Sequence, residues 1–250
     1  MQYKILKKII NFFGFKLMEK NLIKNIRLIS QNDYLNTNHF LRKIFEHIKI
    51  KSIIQIGAND GIRFDVLNFY IKKYKPKALL VEPILSNFRD LKNNYKEHKN
   101  IFFENSAISV NNEISYLFKV KENKISEYDA HIKGITSFNK NHLKKHGVKE
   151  RDITLEKINS ISIRDLLLKY KFKEIDLIYV DAEGYDGKII LDFLKKYKSN
   201  PILIFEFIHI DNSTLTKVLN IIIKKKYIYF KSEENIFCIP KRLNGLKKLF

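Results

Sequence analysis

Acidic side chains and a histidine follow two neighbouring apolar runs in the second half of the chain. Asp181 and Glu183 come directly after residues 176–180, and Glu206 and His209 close the next apolar run. Two carboxylates this close together are costly to bury unpaired, so they need a cation, a metal ion or a hydrogen-bonding ligand. We expect the four side chains to lie side by side and to act as acid–base groups or as cation ligands. The alternative is that Asp181 only caps the helix that follows.

A glycine-containing turn follows an earlier apolar run, in the sequence IIQIGANDG at residues 53–61. Gly57 allows a sharp backbone turn and the close approach of a ligand. Gly61 is expected to open a helix whose N-terminus carries partial positive charge. A dinucleotide fingerprint would need further glycines where Asn59 and Ile62 stand, and the sequence contains no nucleoside triphosphate P-loop. The turn alone is weak evidence for any one ligand.

A carboxylate, Glu82, ends the second predicted strand, about 20 residues beyond the glycine turn. A carboxylate at this place accepts hydrogen bonds from both hydroxyls of a ribose. Because the pyrophosphate glycines are missing, the pair of features suits a ribosyl ligand without a diphosphate, and S-adenosylmethionine is such a ligand. A surface glutamate before Pro83 is the alternative interpretation.

Short β-rich apolar runs alternate with helical segments from residue 52 onward. This alternation predicts an α/β fold with a mostly parallel sheet covered on both faces, and a closing pair of strands predicts an antiparallel edge. Since ligands bind at the carboxyl ends of such strands, all the side chains above fall at one rim of the sheet. The predicted strands are residues 52–56, 78–81, 100–103, 175–180, 201–207, 227–230 and 236–239.

Residues 121–150 interrupt the alternation. They are polar and contain His131, His142 and His146. A stretch of this length inside a compact domain is typically a lid or substrate loop, although a surface excursion without a function is the alternative. We therefore expect it near the site, with His142 as a further candidate base.

Composition limits the class of protein. A chain of 250 residues is long enough for one sizeable core, and the single cysteine, Cys238, excludes a disulfide framework or a multi-cysteine metal site. The net charge is +20, but of 47 basic residues only seven are arginine. Arginine is the residue that reads bases and clamps phosphates, so we interpret the charge as solvated lysine faces rather than a nucleic-acid surface.

Residues 1–30 stand apart from the rest, and we assign residues 31–250 to a single catalytic domain. Apolar residues such as Ile5, Ile9 and Phe13 recur at helical spacing among lysines. This pattern predicts a basic amphipathic helix that either contacts a membrane surface or packs on the domain or on a second subunit of a homodimer. Without an 18-residue apolar run or a signal peptide, we expect a cytoplasmic protein, with peripheral contact to the inner membrane face as an option.

Taken together, the motifs resemble those of the FkbM family of S-adenosylmethionine-dependent methyltransferases. D-x-E-G-Y-[DE] is the most specific of them, and the resemblance covers roughly residues 50–240. The matching segments, in the family's order, are QIGANDG (55–61), VEP with N-F-x-x-L (81–91), ENSAIS (104–109), SFNKNH (137–142), IDLIYVDAEGYD (175–186) and IFEFIHI (204–210).

The resemblance implies a Rossmann-like seven-stranded methyltransferase sheet with S-adenosylmethionine as cofactor and S-adenosylhomocysteine as product. It implies O-methylation, commonly of a sugar hydroxyl in a polysaccharide, glycolipid or nucleotide-linked precursor. The implied cofactor-binding residues are Gln55, Gly57, Ala58, Asn59, Asp60, Gly61, Glu82, Pro83, Ser106, Ala107 and Asp181. A hydroxyl is a poor nucleophile until its proton leaves, so a general base is expected.

Among Asp181, Glu183, Glu206 and His209, His209 is our first choice for that base because imidazole titrates nearest neutrality. A hard divalent ion held by the same four side chains is not favoured, and no metal ligand is assigned. A nucleic-acid methyltransferase on the same fold is one alternative, but no two of the four prolines are adjacent, which excludes the [DN]-P-P-[YFW] motif. A non-catalytic nucleotide-binding module is the other.

Overall fold

The computed structural model describes residues 27–28, 36–110, 115–129, 132 and 135–243. The predicted N-terminal amphipathic helix and His131 lie outside these residues, apart from a two-residue strand at Arg27–Leu28. Within the described part of the chain, no helix is long and apolar enough to cross a membrane.

Strands and helices alternate along most of the described chain. The strands are β1 (Arg27–Leu28), β2 (Ser52–Ile56), β3 (Lys77–Val81), β4 (Ile101–Glu104), β5 (Ala107–Ile108), β6 (Ser115–Val120), β7 (Ile153–Ile158), β8 (Ser160–Ile161), β9 (Leu177–Val180), β10 (Ile202–Glu206), β11 (Tyr227–Ser232) and β12 (Asn235–Pro240). The α-helices are α1 (Thr37–His47), α2 (Asn68–Tyr74), α3 (Leu85–Asn94), α4 (Lys140–Lys145), α5 (Ile163–Lys169), α6 (Asp186–Lys196) and α7 (Asn212–Lys224).

The main sheet has the strand order β1-β11-β12-β10-β9-β2-β3-β4. Strands β2, β3, β4, β9 and β10 are parallel, and β12 is antiparallel to both of its neighbours, β10 and β11. The seven strands from β4 to β11 confirm the predicted Rossmann-like sheet with an antiparallel element at one side. The strand order reverses at the β2–β9 boundary, which is where ligands bind in open sheets of this kind.

Two apolar clusters cover the two faces of the sheet. Helices α5, α6 and α7 pack on one face, and α1 to α3 contribute to the cluster on the other. Strand β2 is buried at every position, as expected for a central parallel strand covered on both sides. The rigid sheet therefore fixes the positions of the loops that follow its strands.

The prediction that Gly61 opens a helix is wrong. Residues 57–67 form a series of turns, and α2 begins only at Asn68. Asp65 accounts for the late start, because its carboxylate accepts hydrogen bonds from the backbone N–H groups of Leu67 (2.8 Å) and Asn68 (3.2 Å).

The segment between β6 and β7 contains residues 121–150. The two strands form an antiparallel hairpin, and the segment between them includes α4 and two short 3-10 turns, at Glu122–Glu127 and Glu150–Asp152. A small apolar cluster that includes Val120, Leu143 and Val148 lies beneath it. Its described part is therefore packed rather than loosely extended.

Candidate active site

The turn after β2 is held against β3 and β9. The backbone N–H groups of Gly57 and Ala58 donate to the carbonyl of Val81 at 2.9 and 3.0 Å. Gly57 has φ +82°, and a Cβ at this position would lie 1.8 Å from the carbonyl oxygen of Asp181. Only glycine fits where the loops after β2 and β9 approach this closely.

Three of the predicted cofactor residues do not line the cleft beside this turn. The amide nitrogen of Gln55 donates to Asp65 at 3.0 Å, and Asp60 accepts from the backbone of Ile62 and Arg63 at 3.0 and 2.8 Å. Gly61 faces side chains of α3 and the residue after it, since a Cβ there would meet Leu91 and Tyr95 at 2.6 Å. In the structure these three residues shape the turn.

Glu82 is buried at the end of β3, beside the turn. Its Oε2 accepts from the N–H of Asn59 at 3.0 Å, and its Oε1 accepts from the N–H of Ile84 at 2.9 Å. Burial raises the pKa of Glu82 to about 7, although these hydrogen bonds and one from Asn87 oppose the shift. Each oxygen has a second lone pair that can accept a hydrogen bond from a hydroxyl group of a ligand.

The loop after β4 forms another wall of the cleft. Ser106 donates its hydroxyl to Glu104 at 2.7 Å, and Glu104 is held in turn by Lys169 and Tyr170 at 2.7 and 2.9 Å. Asn105 donates to the carbonyls of Glu82 and Pro83, at 2.9 and 3.0 Å, and so ties this loop to the one after β3.

The loop after β9 carries the acidic motif. Asp186, fully buried at the start of α6, accepts from the N–H groups of Ala182 and Gly184 at 3.0 Å each. Asp186 therefore holds the loop in place, and no side chain, Asp181 included, makes a capping hydrogen bond at the start of α6. Glu183 has φ +49°, a backbone conformation that is unfavourable for a non-glycine residue and is often found at functional sites.

The four candidate acid–base residues fall into two groups. Asp181 and Glu183 line the cleft, whereas Glu206 and His209 do not. Oε1 of Glu206 lies 3.7 Å from Nε2 of His209. Glu183 is joined to His142 of α4 by a 2.8 Å contact between Oε2 and Nε2, and the rings of His142 and His209 are 4.3 Å apart. The 121–150 segment thus contributes a side chain to this group.

Burial and mutual repulsion raise the pKa values of two of these carboxyl groups. Burial comes first for Asp181, followed by the charges of Asp186 and Glu183, and together they raise its pKa well above the usual value. Burial, followed by the charges of Asp181 and Asp186, raises the pKa of Glu206 to about 10. Each group therefore holds its proton to a higher pH than an ordinary carboxyl group does.

These loops enclose a cleft of about 790 Å³, counted out to its open mouth. Eight of the eleven predicted cofactor residues line it: Gly57, Ala58, Asn59, Glu82, Pro83, Ser106, Ala107 and Asp181. Lining residues that sequence reasoning missed include Arg63, Phe64, Asp65, Asn87, Thr136 and Phe138. Thr136 precedes the SFNKNH segment and Phe138 lies within it, so that motif was the available signal for them.

The chain has a mostly parallel sheet with this strand order, a cleft at its carboxyl edge, a glycine turn after β2 and a buried carboxylate after β3. These features define a Rossmann-like α/β protein. The sequence matches the methyltransferase FkbM domain over residues 55–229, and the chain belongs to this family.

Solved methyltransferase structures are similar to the chain at low identity. Methyltransferase FkbM from Methylobacillus flagellatus KT has 13% identity and a TM-score of 0.45, with 76% of this chain and 44% of that protein covered. A putative O-methyltransferase from Klebsiella pneumoniae has 8% identity, a TM-score of 0.42 and coverage of 96% and 100%. An O-methyltransferase from Bacillus cereus, solved in complex with SAH, has 8% identity, a TM-score of 0.41 and coverage of 88% and 86%.

The chain therefore spans less than half the length of the Methylobacillus protein. A comparison with curated protein sequences gives no significant match.

Proposed function

We propose that this protein is an S-adenosylmethionine-dependent O-methyltransferase that acts on a sugar hydroxyl. Family membership supports methyl transfer, and one structural observation carries the choice of cofactor. Glu82 is a buried carboxylate on the wall of the cleft, next to the Gly57 turn. A buried carboxylate with spare lone pairs suits the two adjacent hydroxyls of a ribose and would repel a phosphate at the same place.

The lining of the cleft fits the remaining parts of this cofactor. Gly57 and Ala58 present backbone to the space where the methionine part is proposed to lie, and Ser106 and Ala107 border the proposed adenine position.

The protein's own contribution to the reaction would be positioning and proton removal. When bound, S-adenosylmethionine supplies a methyl group that is already activated on a sulfonium. The chain must then hold an acceptor oxygen in line with that methyl, and positioning of this kind supplies roughly 7–11 kcal/mol. Removal of the hydroxyl proton by a side chain adds a factor of about 10²–10⁴.

Glu183 is the proposed proton acceptor, because it lines the cleft and its carboxylate is held by His142. His209, our first choice from sequence, does not line the cleft but contacts the ring of His142, so it remains a candidate that would act through that neighbour. A sugar is the proposed acceptor because its hydroxyls pair well with carboxylate and imidazole groups, and because the family resemblance implies one. Polysaccharides, glycolipids and nucleotide-linked sugars are the forms we propose.

The cofactor assignment is tested by calorimetric titration of the full chain with S-adenosylmethionine. We expect Glu82→Gln to weaken binding about 10- to 100-fold, because a charged hydrogen-bond acceptor contributes about 1.5–3 kcal/mol. Glu97→Gln makes the same chemical change at an exposed residue of the loop after α3 and should leave the affinity unchanged. Equal affinities for the two variants would remove Glu82 from the cofactor site.

The acceptor assignment needs a separate assay. The wild-type protein is incubated with S-adenosylmethionine and a fractionated cell-surface glycan or nucleotide-sugar extract, and S-adenosylhomocysteine is measured. Formation that depends on a glycan fraction supports the sugar, whereas formation only with RNA or DNA would replace it.

A further inference from the structure

Three histidines converge beside the cleft. His142 and His146 come from α4 and its C-terminal cap, and His209 follows β10. Their ring centroids are 4.3 Å (142–209), 4.7 Å (142–146) and 5.6 Å (146–209) apart. Nitrogen atoms of all three rings lie within 4.8 Å of one another. Residues four apart share one side of a helical turn, which is why His142 and His146 face the same point.

Two carboxylates accompany the histidines. Oε2 of Glu183 lies 2.8 Å from Nε2 of His142, and Oε1 of Glu206 lies 3.7 Å from Nε2 of His209. Glu183, Glu206 and His209 also bring ligand atoms within 4.8 Å of one another. Oε2 of Glu206 is buried and has no hydrogen-bond partner among the residues that the structure describes. A buried acceptor without a partner is costly and indicates a missing cation or donor.

We propose that His142, His146 and His209 bind a transition-metal ion of the zinc class, with Glu183 and Glu206 as flanking carboxylates. Imidazole nitrogen is a ligand that Zn²⁺, Co²⁺ and Ni²⁺ favour, whereas Mg²⁺ and Ca²⁺ prefer sites built from oxygen. Carboxylates that hold the second nitrogen of a ligating histidine are a regular feature of such sites. Glu183, at Nε2 of His142, would play this part when Nδ1 of His142 binds the ion.

The spacing of the ligand atoms requires only small movements. Four ligands at about 2.0–2.1 Å from a tetrahedral zinc ion lie about 3.4 Å apart. Nitrogens that lie within 4.8 Å of one another reach that spacing through side-chain rotation and a shift of α4. The site would join the 121–150 segment to the loop after β10, next to Glu183. This inference does not depend on the identity of the cofactor or of the acceptor.

The test is metal binding by the full chain, without any cofactor or acceptor. Protein stripped with a chelator is titrated with Zn²⁺ by calorimetry, and with Co²⁺ while the visible absorption of tetrahedral Co²⁺ is recorded. We expect one ion per chain. His146→Ala and His209→Ala should each weaken Zn²⁺ binding about 100-fold or more, and Glu183→Gln about 10- to 100-fold. His47→Ala, at an exposed histidine of α1, is the matched control and should bind like the wild type.

Circular dichroism of each variant verifies that it is folded. His146 is half-buried and lies at the end of a short helix, so its replacement is expected to disturb folding less than that of His209. Zn²⁺ affinity that is unchanged in both histidine variants would overturn the proposal. So would a protein that binds Mg²⁺ but neither Zn²⁺ nor Co²⁺, because such selectivity requires oxygen ligands. Neither result would bear on S-adenosylmethionine binding, which is measured separately.

Discussion

At the scale of single residues, Glu82 is the side chain on which the proposed function depends. Sequence reasoning could predict its place, because it ends a short apolar run about 20 residues after a glycine turn. It could not predict that Gln55, Asp60 and Gly61 would be missing from the lining of the cleft, because that depends on how the turn is packed against Asp65 and α3. A motif predicts which segment lies at a site more reliably than it predicts which of its side chains face the ligand.

The raised pKa of Glu82 gives the proposed cofactor binding a defined pH dependence. Ribose hydroxyls donate to the ionised carboxylate, so binding lowers its pKa from about 7 and requires loss of a proton at lower pH. We expect the affinity for S-adenosylmethionine to be constant above pH 7 and to fall by up to about tenfold per pH unit below it.

Calorimetry between pH 5.5 and 8.5, in buffers of different ionisation enthalpy, measures both the affinity and the proton release. Glu82→Gln has no proton to lose at this position and serves as the control, so its pH profile should be flatter. Identical profiles for the two proteins would show that Glu82 does not titrate on binding.

At the scale of elements, the apolar runs predicted the strands of the main sheet well, because central parallel strands are buried on both faces and leave a plain sequence signal. The helix after the glycine turn was placed too early, since the carboxylates of Asp60 and Asp65 each hold a turn of their own before α2 begins. The hairpin of β6 and β7 was missed, because its exposed face also carries apolar side chains, so polar and apolar residues do not alternate: Tyr116 and Leu155 are 52% and 54% exposed.

The contact between the loops after β2 and β9 is an element-scale prediction. Gly57→Ala places a Cβ 1.8 Å from the backbone oxygen of Asp181, and the two loops must separate. Gly147 has a similar φ of +85°, but a Cβ there would meet no atom of the described residues within 4 Å. Gly147→Ala is therefore expected to lower the free energy of unfolding only by the cost of a left-handed backbone conformation, about 1–2 kcal/mol, without any steric clash.

We expect Gly57→Ala to lower the free energy of unfolding by about 3 kcal/mol or more, since overpacking typically adds about 1–3 kcal/mol to that cost. Urea denaturation followed by circular dichroism measures the difference. Equal losses in the two variants would mean that the loops are not in close contact.

At the scale of the whole molecule, the order of the strands followed from the family resemblance and not from the apolar pattern, because runs of similar composition do not specify their neighbours. The convergence of α4 with the loop after β10 was likewise beyond sequence reasoning, since 63 positions separate His146 from His209. His142 and His146 were noticed as members of a polar stretch, but not as partners of His209.

The basic N-terminus leads to a whole-molecule prediction that rests on sequence alone. We propose that residues 1–30 contact anionic membranes, with the lysines contributing about 1 kcal/mol each near the surface. The full chain should sediment with vesicles that contain phosphatidylserine, and substitution of Lys4, Lys7 and Lys8 by glutamate should abolish this.

Substitution of the exposed Lys73, Lys96 and Lys99 by glutamate changes the net charge equally and should leave sedimentation intact. If both triple variants lose binding alike, general charge rather than the N-terminus is responsible.

The most direct measurement is a crystal structure of the full chain grown with S-adenosylhomocysteine. We predict that the ligand occupies the cleft, with its ribose hydroxyls about 2.6–3.2 Å from the Glu82 carboxylate and its amino-acid part against the Gly57 turn. A ligand bound at another face of the sheet, or a cleft without ligand at saturating concentration, would contradict the proposed cofactor site.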